Sequence, residues 1–244
     1  NPSGDYAGIL QWDFGPSITQ RSRTVNEIFA AHLPVSATLG VAALLIAVGV
    51  GVPLGIIASL KQNSAWDYLS MALAIVGVSV PSIVIGPILI LVFALTLGWL
   101  PVAGWGSFKH ILMPSLALGL SSSAIIARLT RASMLQVIRE DYIRTARAKG
   151  LSEKVVIVRH ALKNAFIPVA TVLGPMFAAL VTGTFVIEQI FAIPGLGKYF
   201  ISSITNRDYS VVMGTTLLYA LFLVASNLFV DVTYAFLDPR IQFE

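Results

Sequence analysis

"LPVSATLGVAALLIAVGVGVPLGIIASL", residues 33–60, decides the class of fold. It carries no Asp, Glu, Lys, Arg or His over 28 positions. A helix needs about 20 apolar residues to cross the hydrocarbon of a bilayer. Three other runs also lack these five residue types: Tyr68–Phe108, Asn164–Ile187 and Tyr209–Val230. Ile111–Ala127 is shorter, but Arg128 beyond it can snorkel from a helix end. The composition agrees. Of 244 residues, 56% are hydrophobic and only 11% charged, with mean hydropathy +0.82. A soluble domain carries about 25% charged residues, so this chain has too little polar surface to cover itself. It is predicted to be an all-α integral membrane protein with spans at about 33–60, 68–98, 111–138, 165–187 and 209–236.

Proline and glycine shape these spans. Pro34, Pro53, Gly49, Gly51 and Gly55 fall in the first, and small residues let helices approach closely in lipid. Pro81 and Pro87 predict a kink or break near the middle of the second. Gly98-Trp99-Leu100-Pro101 ends it, with Trp99 and Trp105 at a membrane interface. Residues 1–32 read as an extramembrane segment, with a turn at Asp13–Ser17 and a short surface helix over Ser22–Ala31. The chain begins Asn-Pro-Ser-Gly and shows no signal-peptide pattern. It reads as part of a longer chain, with one more span expected before Asn1.

Seven of the sixteen Lys and Arg lie in Ile138–Asn164. Within it, Asp141 is expected to cap a short helix that Gly150 stops, since glycine accepts the left-handed conformation of a helix end. Ser152 and Glu153 start a second helix. Val155, Val158, Leu162 and Phe166 are expected on its apolar stripe, with Arg159 and Lys163 as exposed neighbours. Arg128 to Lys163 contains nine Lys or Arg against Glu140, Asp141 and Glu153. The positive-inside rule puts that side in the cytoplasm. Alternation places 1–32, 99–110 and 188–208 outside, and 61–67 and the C-terminal tail 239–244 inside.

Other charges receive plain readings. Arg128 and Arg131 are interface anchors. Glu188 and Asp208 are solvated loop charges in 188–208, a loop with some apolar content. Pro175, like Pro81 and Pro87, marks a kink. His32, His110 and His160 are too scattered in sequence for a metal site, and Trp12 and Trp66 are interfacial anchors. With no cysteine, disulfides and thiolate chemistry are excluded.

The chain lacks an evident energy source of its own. The span centres hold no ionisable residue of the kind used by proton relays. No G-x-x-x-x-G-K-[ST] phosphate loop, H-E-x-x-H or G-x-S-x-G occurs. A secondary transporter would need polar groups inside a span, although Na⁺ coupling through backbone carbonyls stays open. A membrane enzyme would need clustered catalytic groups. If the protein pumps, a cytoplasmic partner supplies the energy, and the basic two-helix stretch is the element large enough to receive it.

"YIRTARAKGLSEKVVIVRHALKNAFIP" (142–168) resembles the cytoplasmic coupling loop of permease subunits of ATP-binding-cassette importers, in the dipeptide/oligopeptide family. The general importer pattern E-A-A-x-x-x-G falls on Arg144-Thr145-Ala146 and Gly150. Glu is replaced by Arg, and Pro168 lies further from Gly150 than the general spacing. "LGWLPVAG" (97–104), "FAIPGLGKYF" (191–200), "NRDYSVVMG" (206–214) and "LDPRI" (237–241) resemble the family in the same order. "WDFGPSITQRSRTV" (12–25) resembles the permease type with a longer outer segment after its first helix. The resemblance implies six helices in the full chain and an importer-type bundle with a cytoplasmic coupling helix. It implies an ATPase-coupling interface of Tyr142, Thr145, Ala146, Arg147, Ala148, Lys149, Gly150 and Leu151. It also implies a second homologous permease, two ATP-binding subunits carrying ATP and Mg, and an extracytoplasmic substrate-binding protein. No cofactor is expected on this chain. Members of this family carry peptides, nickel chelates, glutathione or sugars.

Overall fold

Thr24 and Glu27 cap each other where the first long helix begins. The Thr24 N–H donates to Glu27 Oε2 (3.0 Å) and the Glu27 N–H donates to Thr24 Oγ1 (3.2 Å). This reciprocal box satisfies two of the free amides at a helix start. From it, α1 runs over Val25–Leu60 without interruption. The separate surface helix expected over Ser22–Ala31 is therefore the first turns of α1. The sequence T-V-N-E spells the box, and Pro34 does not end the helix.

The computed structural model describes residues 8, 11–20 and 22–237. After α1 come α2 (Ala65–Ser79) and α3 (Ser82–Thr96), the latter ending in a π-helical segment, Ile90–Thr96. The break between them falls at Val80-Pro81, as the proline predicts. Pro87 stays inside α3. Next are α4 (Phe108–Val137), α5 (Asp141–Ala148), α6 (Glu153–Ala165) and α7 (Ile167–Val181). The chain closes with α8 (Phe185–Ile190), α9 (Gly197–Thr205) and α10 (Tyr209–Leu237). Among the described residues no strand forms; Pro16 and Thr24 make one isolated bridge. The tail at 239–244 and most of "LDPRI" lie outside the described residues.

Among the described residues, three helices are long and apolar enough to cross a membrane: Val25–Leu60, Phe108–Val137 and Tyr209–Thr233. Counting each broken pair, α2 with α3 and α6 with α7, as one span gives five. Segment 188–208 is less loop-like than expected, because α8 and α9 occupy much of it.

The described residues divide between two units. One draws on Asn1–Ala42, Ile83–Ala117 and Phe177–Val224; the other on Ala43–Ser82, Leu118–Met176 and Ala225–Glu244. In the first, Val25, Ile28 and Phe29 of α1 pack with Leu196, Val211 and Leu218. In the second, α1 and α4 meet through small residues. A Cβ on Gly51 would lie 2.6 Å from the Ser123 carbonyl oxygen, and one on Gly55 2.6 Å from that of Ala127. Gly119 of α4 is as tight against Ala43, at 2.7 Å. Lipid tails are as apolar as leucine, so such helices associate through close van der Waals contact rather than by escaping water. Gly49 faces open space and takes no part.

Candidate functional site

Helix α5 is two turns long and rests on a small core of its own. Ile143 and Ala146 are buried with Met134 from α4 and with Val156, Ala161 and Ala165 from α6. Glu140 is its N-cap residue, and Asp141, expected to cap it, lies in the first turn. There its charge still suits the positive helix end. Gly150 ends the helix at φ +76°. The Gly150 N–H donates to Arg147 O (2.9 Å) and the Leu151 N–H to Ala146 O (3.4 Å). This pair of bonds closes a helix end around a left-handed residue, the position predicted for Gly150.

Two side-chain ties hold α5 to α6. Arg147 grips Glu153 with both arms of its guanidinium, Nε to Oε2 at 3.1 Å and Nη2 to Oε1 at 2.7 Å. Asn164 Nδ2 donates to Tyr142 Oη (2.8 Å). The fork geometry fixes the turn more tightly than a single contact would.

Of the eight residues expected at the coupling interface, seven are exposed. Tyr142, Thr145, Ala148, Lys149, Gly150 and Leu151 are solvent-facing, and Arg147 is exposed while paired with Glu153. Ala146 differs: it is 6% exposed and points into the core beneath the helix. Its smallness lets α5 sit down on α6 and offers a partner no surface.

The apolar stripe of α6 is shifted from the expected one. Val155 and Val158 are exposed, while Val156, Ala161 and Ala165 are buried. The cause is a π-helical segment, Val156–Ala161. Its i→i+5 bonding adds residues to the turn, so the buried positions fall five and then four apart. A regular 3.6-residue count selects the wrong valines.

Charges outside this element also differ from their plain reading. Arg131 makes a two-armed ion pair with Asp67, with both contacts at 2.7 Å. The Asn63 N–H adds a third bond to Asp67 (2.9 Å), and the Asp67 side chain is 4% exposed. Removing Arg131 would leave the Asp67 charge buried without its cation. Glu188 and Asp208 are corrected from solvated loop charges to buried ones, at 1% and 2% exposure. Asp208 accepts hydrogen bonds from the Ser17 hydroxyl, the Ile18 and Thr19 amides and the Val211 amide at the start of α10. It thus ties the 17–19 loop to that helix. Sequence spacing could not reveal a partner 191 positions away.

Residues 51–243 match the family described as binding-protein-dependent transport system inner membrane component. The chain belongs to this family. As a member it is a multi-pass permease component of an ATP-binding-cassette transporter and is not itself catalytic. It is 51% identical to the dipeptide transport system permease protein DppB of Bacillus subtilis, over 96% of this chain and 76% of that one. It is 49% identical to the oligopeptide transport system permease protein OppB of Salmonella typhimurium, over 96% and 78%. The glutathione transport system permease protein GsiC of Escherichia coli O1:K1 is 43% identical over 98% and 78%. Among solved structures, the inward-facing MetNI methionine ABC transporter matches at TM-score 0.68 and 17% identity, covering 84% of this chain and 95% of that one. An amino acid ABC transporter crystallised with histidines matches at 0.63 and 17%, covering 85% and 93%. These matches show that the permease shares their fold.

Proposed function

We propose that this permease is the membrane-spanning subunit of an ATP-driven, binding-protein-dependent importer that moves di- or oligopeptides across the cytoplasmic membrane. The carrying observation is the identity of about half, along 96% of the chain, to permeases named for dipeptide and oligopeptide transport. In this reading a second homologous permease pairs with it. Two ATPase chains bind ATP and Mg, and a substrate-binding protein delivers the solute from outside. The membrane domain is 33–238. Residues 1–32 lie outside; loop 139–164 and tail 239–244 lie in the cytoplasm, by the positive-inside rule.

The ATPases seat on the exposed face of α5 and its turn: Tyr142, Thr145, Ala148, Lys149, Gly150 and Leu151. Arg147 braces the turn and Ala146 supports the helix from below. Because α5 is tied to α6 and packed on the end of α4, a push on α5 moves those helices with it. The bundle switches between two arrangements that the partner biases.

A second reading, the same machine carrying glutathione, is favoured by the 43% identity to GsiC. The test is uptake by the reconstituted complex in proteoliposomes. It is offered labelled dipeptide, pentapeptide and glutathione, together with its substrate-binding protein. ATP-dependent uptake of a peptide is expected. Uptake of glutathione alone would install the second reading. Uptake of none by an assembled, ATP-hydrolysing complex would overturn both.

A further inference from the structure

The Glu188 carboxylate sits where three pieces of chain meet within one unit. From α1, the Ser36 hydroxyl donates to Oε1 (2.7 Å). The same hydroxyl accepts the Leu196 N–H (2.8 Å), so one serine joins the carboxylate to the Pro194–Gly197 turn. The Thr184 N–H, at the start of α8, donates to Oε1 at 3.3 Å. One helical turn before Ser36, His32 meets the same turn from α1. Its Nδ1 lies 2.8 Å from Pro194 O, and its ring stacks on Tyr199 with centroids 4.4 Å apart.

The second oxygen, Oε2, is buried and has no partner in hydrogen-bonding geometry. Burial pushes the Glu188 carboxyl above the ordinary range, while the Ser36 hydroxyl and the Thr184, Gly197 and Lys198 amides, the last two at the amino end of α9, favour its charged form. Space around it is reserved by glycine. A Cβ on Gly197 would stand 2.9 Å from Oε2, one on Gly183 3.3 Å from Oε1, and one on Gly195 would collide with the carboxyl group. The stretch E-Q-I-F-A-I-P-G-L-G thus folds back so that its own turn encloses its own acid. A buried carboxylate with one oxygen lacking a well-formed hydrogen bond costs stability, so its presence calls for an explanation, and the coupling surface does not employ it.

We propose that Glu188 is a positioning residue for transport: through Ser36 and the Pro194–Gly197 turn, its carboxylate sets how α9 is held against α1. The favourable pairing is negative charge against the amino end of a helix. Oε1 holds α1 through Ser36, and Oε2 is the open site that the α9 amides take up when the helix moves toward it. The role requires charge, so size alone does not replace it.

The test uses the full complex with Glu188→Gln, Glu188→Asp and Ser36→Ala, the last leaving the carboxylate in place. Losing a hydrogen bond to a charged group is worth about tenfold or more. The maximal ATP-dependent uptake rate should therefore fall about tenfold in Glu188→Gln, with KM unchanged. Basal ATP hydrolysis should also stay unchanged. Ser36→Ala should share the defect, the double variant should be no worse than either, and Glu188→Asp should recover part of the rate. The uptake assay rests on the importer reading. An independent measurement is the spin-label distance between cysteines placed at Ala31 on α1 and Ser202 on α9 of this cysteine-free chain. A shifted or broadened distribution in both Glu188→Gln and Ser36→Ala supports the proposal whatever the solute. Wild-type distances in both variants would overturn it, as would wild-type uptake by assembled Glu188→Gln. If Glu188→Gln does not assemble, Ser36→Ala decides by the same two readouts.

Discussion

Asp208 shows what one buried carboxylate does at the end of a long helix. Burial pushes its carboxyl up, but hydrogen bonds from Ser17, Thr19, Ile18 and Val211 together outweigh that and hold it below the ordinary range. A carboxyl lowered by folding stabilises the protein above its unfolded value and loses that contribution as pH falls through its folded value. Asp208→Asn should therefore be less stable than the parent at pH 7, by about 2 kcal/mol for lost bonds to a charged group. The gap should narrow below about pH 4, where aspartate ordinarily protonates. Thermal unfolding of both proteins in detergent across that range checks this. A constant gap would mean that shape, not charge, holds the 17–19 loop. Such a residue was not legible beforehand. In sequence it reads as a solvated loop charge of 188–208, and its main partners arrive from the other end of the chain.

The helices themselves were largely legible, because lipid allows the backbone only helix or closed barrel and charge-free runs of about 20 residues or more have the length of helices rather than strands. Boundaries failed where local chemistry overrode the apolar count. The Thr24–Glu27 box moved the start of α1 to Val25. The π segment of α6 exchanged Val155 and Val158 for Val156, Ala161 and Ala165 on the buried face. A π segment has no residue signature as plain as proline or glycine, so the periodicity could not announce it. Gly150 was legible for the opposite reason: its left-handed turn has a residue type that fits it. Close helix packing falls between these cases. Gly49, Gly51 and Gly55 look alike in sequence, but only the last two meet the α4 backbone. Gly51→Leu and Gly55→Leu should each cost about 3 kcal/mol or more through overpacking, and should abolish a monodisperse peak on size exclusion. Gly49→Leu should elute as the parent does. Equal behaviour of all three would refute the α1–α4 seam.

For the molecule as a whole, the uneven distribution of charge is the feature that composition, topology and coupling share. Seven of sixteen cations sit between Ile138 and Asn164, yet Arg147 is spent on Glu153 inside the element, and Arg131, just before the stretch, is spent on Asp67. A loop kept only for membrane orientation would need the charge but not the core under α5, the two-armed tie or the left-handed glycine. Anionic lipid would also be satisfied by an unfolded basic segment. A folded platform is what a rigid partner requires, since a flexible loop would absorb the motion instead of passing it on. The natural absence of cysteine makes the distinction measurable. A single cysteine at Ala148, exposed beside the glycine turn, should crosslink in native membranes to a nucleotide-binding chain, identified by mass spectrometry. The yield should change when ATP is trapped, because the partner moves between the two states of the cycle. The same cysteine at Val158, exposed on the neighbouring helix, reports how far the contact extends. Crosslinks from Ala148 to lipid alone, in a complex shown to hydrolyse ATP and transport, would return the basic stretch to a topological role and leave the route of coupling to be sought in the 61–64 turn beside Trp66.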